Sequence, residues 1–445
     1  MSDRTLEDAL RAAESPVDLL RDLGLGQFTK LPDEFTHWIE EQRAWQESCA
    51  FADQSYHMTD LRIQGTEAIE LYTDYAVNDF ETFDVGQAKQ LVVANPDGYL
   101  IGDAILFRED EANFLSVGAA AAHHWLLYQA ETGEYDVDAE MQGRPVATGR
   151  DPENFRYQVQ GPDAVDVMRE AIDGALPDLG FFRFEEVTID GNEAFLLRHG
   201  MAGEAGFEFW GDYAYADAVR EAVLDAGEEH GIRRLGSKSY QSANVVLGWL
   251  PLPVPAIYSG EEMQGFREWL DLRQGLISIG GSYDAADIED YYVTPIEVGY
   301  GHIVDFDHDF VGKAALEAEI DDPDREKVTL VWNDGDVVDV FHSLFRDGET
   351  KKFMDLPVPR SSACHYDEVR KDGEIVGVSK WMSYINNHRE MLSLALVDTE
   401  HSDPGTEVTL TWGEADGSEN RAVERHETAE IRATVAPAPY KQDRR

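Results

Sequence analysis

The stretch Arg198-His199-Gly200-Met201-Ala202-Gly203-Glu204-Ala205-Gly206-Phe207-Glu208-Phe209 decides how this chain is read. Its three glycines, spaced three apart, predict a turn in which backbone without Cβ atoms can approach a flat ligand closely. The run after the last glycine predicts a strand, and Glu208 sits on it. A carboxylate there can accept two hydrogen bonds from paired donors on the edge of a heterocycle, such as the amino-pyrimidine edge of a pterin. The competing reading is a tight strand connection that leaves Glu208 in water. What flanks the stretch decides between the two.

Upstream, Arg156 to Gln160 reads as a strand, Pro162 to about Ile172 as a helix, and Glu186 to Ile189 and Glu193 to Arg198 as strands. Downstream, Phe207 to Trp210 is a strand and Tyr213 to His230 a helix. Strands and helices mixed in this order suggest a ferredoxin-like α+β unit. Nearer the N-terminus, Thr5 with Asp8 forms a capping-box pattern, and Ser15-Pro16 puts proline at the first helical position with Gly24 at the end. A third helix is expected from about Asp33 to Gln46. Met58 to Ile63 alternates as a strand, and Thr66 to about Tyr75 turns helical. Gln90 to Val93, Tyr99 to Phe107 and Phe114 to Val117, with a turn at Asn95-Pro96-Asp97-Gly98, complete a second small sheet. Beyond Arg325 helices almost vanish. The strand runs Val328 to Trp332, Ile375 to Ser379, Leu392 to Val397, Glu407 to Trp412 and Ile431 to Val435 predict a separate antiparallel β-barrel or sandwich.

A chain of 445 residues exceeds one hydrophobic core. Its 88 Asp+Glu against 37 Lys+Arg leave a net charge of −51, which repels nucleic acid and anionic lipid, so neither is expected as a partner. The acids are scattered through patterned segments, which argues against disorder and suggests a host cytoplasm of high salt, where screening suppresses self-repulsion. Cys49 and Cys364 form no CxxC pair, so a reducing compartment is expected. Met1 to Ala13 lacks the apolar core of a signal peptide. Pro251, Pro253 and Pro255 exclude a membrane helix from the apolar stretch Ala243 to Tyr258, and a cytoplasmic location is expected.

Metal chemistry finds no support in the spacing. Asp305-x-Asp307-x-Asp309 opens like a calcium loop, but Phe310 takes the glycine place and Leu316 the place of the bidentate glutamate. His123-His124 lies in a helical run without HExxH or CxxC.

With Glu208 set in its stretch, the chain resembles the aminomethyltransferase family, whose R-x-G-x-x-G-E-x-G-F-E pattern is matched from Arg198 to Glu208. Three further family blocks fall in the family's order along the chain: Gln160-Gly161-Pro162 before that stretch, and Thr294-Pro295-Ile296-Glu297-Val298-Gly299-Tyr300-Gly301 and Phe310-Val311-Gly312-Lys313-Ala314-Ala315-Leu316 after it. The resemblance implies a multidomain α+β fold, with ferredoxin-like units around a central folate channel and a C-terminal antiparallel β-barrel. It also implies tetrahydrofolate as cofactor, with the pterin on Glu208 and with Arg198, Asp103 and Trp249 as further folate-site residues. Residues 1–320 would form the folate-binding region, two interleaved α+β domains with the second inserted at about 52–145, and residues 325–445 the barrel.

Within the family, Lys238-Ser239-Tyr240-Gln241-Ser242-Ala243-Asn244 departs from the Arg-Asp-Thr-Leu-Arg-Leu-Glu run of glycine-cleavage T-proteins, and their acidic pair is reduced to Ile101-Gly102-Asp103. Asp53-Gln54-Ser55-Tyr56-His57-Met58, Gly236 to Tyr240, Gly248-Trp249 to Tyr258, and Ile288 to Tyr292 are similar instead to the vanillate-type O-demethylases. That likeness implies a catalytic Tyr240, with Gln54 and His57 lining the site. It also implies a small-molecule methyl donor, expected to be a methoxylated aromatic. Vanillate-type enzymes hold the donor carboxylate at positions that here are Ala119 and Lys30, so either Lys30 takes over that contact or the donor lacks a carboxylate there. Three alternatives stay open: demethylation of a sulfonium or betaine, a glycine-cleavage-type aminomethyl transfer, and a folate-binding regulatory or assembly protein without turnover.

Overall fold

The structure, a computed structural model, describes residues 4–21, 23, 30–200, 203–359, 364–415, 417–418, 420 and 423–440. The expected helix end at Gly24, and Met201 and Ala202 of the glycine stretch, lie outside them.

Arg198 ends the strand Asn192–Arg198 and Gly206 begins the strand Gly206–Asp212. The two pair antiparallel, with Arg198 opposite Phe207 and Leu197 opposite Glu208. The glycines are used for backbone contact: a Cβ on Gly206 would meet the Val159 carbonyl at 2.8 Å, and one on Gly200 the Glu204 carbonyl at 2.3 Å. A strand connection this tight admits no side chain at either place. Glu208 is nevertheless buried rather than solvated.

These strands belong to a six-stranded sheet in the order Arg233–Arg234, Ala50–Asp53, Asn154–Gln160, Gly206–Asp212, Asn192–Arg198, Phe184–Ile189. Alternation along a strand divides its faces. Phe207 and Phe209 join Phe155, Tyr157 and Val159 in a core shared with Val167 and Met168 of helix Ala164–Ala171 and Val219 and Val223 of helix Ala216–Ala226. The order here is strand, helix, three strands, helix, strand, one strand more between the helices than in the ferredoxin-like unit expected, and Ala50–Asp53 lies between Arg233–Arg234 and Asn154–Gln160. On the opposite face, Leu197 and Trp210 pack against Phe107, Leu115 and Val117 of a second sheet. That sheet runs Ala88–Ala94, Leu100–Arg108, Asn113–Gly118, Thr59–Gly65, Val137–Gln142, and helix Ala120–Thr132 lies on it.

The third unit is a closed antiparallel six-stranded barrel in the order Arg325–Trp332, Glu390–Asp398, Glu374–Ile385, Asp367–Lys371, Glu407–Trp412, Ala429–Ala436. The expected barrel thus gains a sixth strand, Asp367–Lys371, and a helix, Asp334–Ser343.

Two helix boundaries differ from the sequence reading. The third helix begins at Trp38 rather than near Asp33, because the buried Glu41 carboxylate accepts from the backbone N–H groups of Phe35 at 2.7 Å and Thr36 at 2.8 Å and holds them out of the helix. The helix expected over Tyr213 to His230 is a short 3₁₀ turn, Tyr213–Tyr215, followed by Ala216–Ala226, with Gly227 closing it.

Candidate active site

Gln54 follows the strand Ala50–Asp53, and its backbone N–H donates to the Arg156 carbonyl at 2.8 Å, continuing the pairing with the neighbouring strand. Its side-chain Nε2 donates to the Tyr240 hydroxyl at 3.1 Å and lies 3.4 Å from Gln158 Oε1. His57 Nε2 stands 3.4 Å from the same hydroxyl, with the two rings edge to face. Two residues three positions apart, Gln54 and His57, therefore converge on the phenol of a third, Tyr240, more than 180 positions further along the chain.

Tyr240 is carried by helix Ser237–Leu247. Glu41 fixes the start of that helix, accepting from the Gly236 N–H at 2.7 Å and from the Ser239 hydroxyl. One turn along, Gln42 Nε2 donates to Ser242 Oγ at 2.8 Å and to the Tyr384 carbonyl of the barrel at 3.0 Å, while the Asn386 N–H donates to Gln42 Oε1 at 2.8 Å. Trp381 Nε1 adds a bond to the Gln241 carbonyl at 3.2 Å. The phenol is thus set by a helix clamped from both sides.

Burial shifts both titrating partners. It pushes the Tyr240 phenol up, and the negative charge of Glu208 adds to this, so the group stays protonated. It pushes the His57 imidazole down to about 4, with Glu208 opposing and the charges of Arg144 and Arg156 assisting, so the ring is neutral near pH 7.

Glu208 lies next to this cluster, opposite Gln158 across the strand pair. Its Oε1 accepts from Arg156 Nη1 at 2.9 Å, and His199 Nδ1 stands 3.5 Å from Oε2. Burial alone pushes this carboxyl up, but His199 and Arg156 reverse the effect and hold it below the usual carboxylate range. Around it, Arg156 Nη2, Gln158 Nε2 and Gln160 Oε1 are buried without a hydrogen-bond partner. An interior face with that many unmet donors and acceptors has the polar groups to receive a ligand.

A second cluster gathers on Asp103, in the strand Leu100–Arg108. Its Oδ2 accepts from Trp249 Nε1 at 3.0 Å, the Tyr300 hydroxyl at 2.6 Å and Gln90 Nε2 at 2.9 Å. Burial pushes Asp103 up, partly offset by Tyr300 and Trp249. Ala119, at the start of helix Ala120–Thr132, donates its N–H to the Asp103 carbonyl at 3.1 Å.

Two residues expected in the site are directed elsewhere. Arg198 donates to the Gly206 carbonyl at 3.2 Å and stacks over Phe207, whose side chain faces away from Glu208. The guanidinium that meets Glu208 is that of Arg156. Lys30 lies over the Tyr56 ring, donates to the Arg150 carbonyl at 3.4 Å and approaches Asp151 at 3.9 Å. Sequence reasoning missed Arg156, Gln158, Tyr300 and Gln90 as site residues. Arg156 and Gln158 occupy every second position of a strand already read as such, which puts them on one face but does not say which face is buried.

A family model described as the GCVT N-terminal domain matches residues 25–246. Syringate O-demethylase of Sphingobium sp. (strain NBRC 103272 / SYK-6) is 40% identical over 98% of this chain and 96% of its own length. Sesamin methylene transferase of Sinomonas sp. (strain No.22) is 31% identical over 85% of this chain and 82% of its own. Among solved structures, the glycine cleavage system aminomethyltransferase T from Bartonella henselae superposes with a TM-score of 0.62 at 18% identity, covering 96% of this chain and 97% of that one, a likeness of fold.

Proposed function

This chain belongs to the aminomethyltransferase family, on its O-demethylase side, and from that premise we propose that it is a tetrahydrofolate-dependent methyltransferase that removes the methyl group of a methoxylated aromatic donor. The observation that carries this reading is the convergence of Gln54 and His57 on the Tyr240 hydroxyl beside the buried Glu208.

Tetrahydrofolate, when bound, supplies the amine nitrogen that accepts the methyl group. The residues present fit it. The Glu208 carboxylate suits the amino-pyrimidine edge of the pterin, and the unmet groups of Arg156, Gln158 and Gln160 offer donors and an acceptor for the rest of that ring. Trp249 and Asp103 would line the folate channel farther out, and Arg198 would brace the strand connection that carries Glu208.

Demethylation of an aryl methyl ether expels a phenolate, a poor leaving group unless its developing charge is met by a hydrogen bond or proton. Tyr240, kept protonated by burial, donates to that oxygen. Gln54 holds the Tyr240 oxygen by donating to it, and the neutral His57 ring is available as proton acceptor and as a wall of the donor pocket. A leaving sulfide or amine would need none of this acid chemistry, which favours the ether over a sulfonium or betaine.

The same reading divides the chain into a folate-binding region over 1–320 and a barrel over 325–445. Among the described residues no helix is long and apolar enough to cross a membrane. With the net charge of −51, this accords with a cytoplasm of high salt. The test is incubation with tetrahydrofolate and, separately, vanillate, guaiacol, a betaine and a sulfonium. Methyl-tetrahydrofolate and a free catechol are expected from a methoxy donor. Formation from the sulfonium alone, or from none, overturns the reading.

A further inference from the structure

Beside the Tyr240 cluster opens a cavity of about 180 Å³, lined on one side by Gln54 and Arg156 and on the other by Asp60, Glu140, Asp151 and Glu153. It is small beside the roughly 300–1,000 Å³ of drug-sized ligand sites, so it suits a single ring with short substituents. The four carboxylates are not equivalent. Glu140, Asp151 and Glu153 are exposed at the rim. Asp60 is half-buried in the strand Thr59–Gly65, opposite Val117 on one neighbouring strand and Gln142 on the other. Cross-strand partners share a face, and Val117 packs against Leu197 and Trp210 of the first sheet, so Asp60 looks into the space between the two sheets. Arg156 enters that space from the first sheet, its guanidinium over the rings of Phe107 and Trp210. Its side chain is 4% exposed, and Nη2 is a buried donor without a partner.

The charges around this cavity decide what can fill it. Arg156 is the strongest charge to reach Asp60, yet it is already paired with Glu208. Arg150, the other cation of the lining, is exposed at the rim, and Lys30 is engaged there by Asp151 and the Arg150 carbonyl. Ala119 has no polar side-chain atom. Burial already pushes Asp60 up, so a second carboxylate sharing its cavity would enter only at the cost of a proton taken up. A neutral ring hydroxyl meets the opposite conditions. Asp60 can accept from it, and Nη2 of Arg156, with two hydrogens, can serve the pterin and still donate to a donor oxygen.

We propose that the methyl donor is a neutral methoxylated phenol without a carboxylate, and that Asp60 determines this choice by accepting the hydrogen bond of the ring hydroxyl. The proposal rests on the reading of the site as a methyl ether demethylase and names its substrate class.

The test compares initial rates of methyl-tetrahydrofolate formation from guaiacol, from vanillate, which adds a carboxylate, and from veratrole, which lacks the hydroxyl. The parent, Asp60→Asn and Asp60→Ala are assayed in molar KCl, where a Debye length of about 3 Å screens the exposed rim acids. Ratios of kcat/KM between donors within one preparation do not depend on how much of a variant is folded. The parent is expected to favour guaiacol at least tenfold over each of the other two. Asp60→Asn, which keeps an acceptor but loses the charge, should cut the guaiacol to vanillate ratio at least fivefold and hold the guaiacol to veratrole ratio. Asp60→Ala should cut both. A parent that favours vanillate overturns the proposal, as do ratios that neither variant moves. Preference for guaiacol in dilute buffer that disappears in molar KCl also overturns it, because the rim acids would then be the cause. The demethylase reading fails by a different sign, a parent that demethylates none of the three.

Discussion

Arg156 Nη1 lies 2.9 Å from Glu208 Oε1 across a strand pair, with 4% and 5% of the two side chains exposed. An ion pair this far from water is costly to form and costlier to break, because removal of one partner strands the other charge. Its second guanidinium nitrogen, Nη2, remains unmet, so the pair is both a structural unit and an open polar surface.

Glu208→Gln keeps the shape and removes the charge. Tetrahydrofolate affinity is expected to weaken by about 1.5–3 kcal/mol, the range for a hydrogen bond involving a charged group. Fluorescence titration reads this directly, and unchanged affinity would move the pterin to another place.

Tyr240→Phe removes the hydroxyl proposed to donate to the leaving oxygen while leaving the Glu208 face intact. Turnover in a single-turnover assay is expected to fall by roughly 10²–10⁴-fold, the usual contribution of general acid catalysis. Folate affinity should stay within about twofold. Near-normal turnover would mean that the leaving group needs no acid.

Histidines buried in neutral form make the fold sensitive to acid. Burial pushes His123 down to about 3 and His124 to about 4, and both are fully or nearly fully buried. Their folded values lie below the ordinary histidine value of about 6.5, so the unfolded chain binds more protons between these limits. Stability is therefore intact above about pH 6.5 and declines as pH falls toward 4, by on the order of 2 kcal/mol per buried histidine at pH 5. Urea midpoints at pH 7 and pH 5 check the sign. The double variant His123→Gln, His124→Gln should show a smaller drop between the two pH values, and an equal drop would assign the acid sensitivity to other groups.

With a net charge of −51, melting temperature should rise between dilute buffer and molar KCl by roughly 5 °C or more, equivalent to about 5 kcal/mol for a chain of 445 residues that unfolds as one unit. A thermal scan in both buffers decides it. Equal melting temperatures would remove the high-salt host from consideration.

Much of this was legible in the sequence, and the physical reason differs from place to place. The strand carrying Glu208 was readable because glycines and alternating apolar residues are local signals. Arg156 was not, because nothing local says which face of Asn154–Gln160 is dry; that depends on the second sheet packing over it. The sixth barrel strand, Asp-Glu-Val-Arg-Lys, is mostly charged and earns its place through pairing with strands on both sides. The late start of the Trp38 helix was hidden for a similar reason, since the buried carboxylate of Glu41 reaches back to Phe35 and Thr36 while also binding Gly236, a residue 195 positions away. Tyr240 came from resemblance, as a tyrosine in a polar run has no signature of its own.

The clamp formed by Gln42 has a meaning for the order in which the molecule acquires its abilities. Gln42 joins Ser242 and the barrel residue Tyr384, partners 200 and 342 positions along the chain. The first sheet, with Glu208 in it, is complete once Arg234 has been made. The helix bearing Tyr240 is held only after synthesis has passed Asn386 and the barrel edge has closed on it. Contacts so distant in sequence form late because long loops must close first. On the ribosome, the buried face that carries Glu208 is therefore assembled before the helix that carries Tyr240 is clamped.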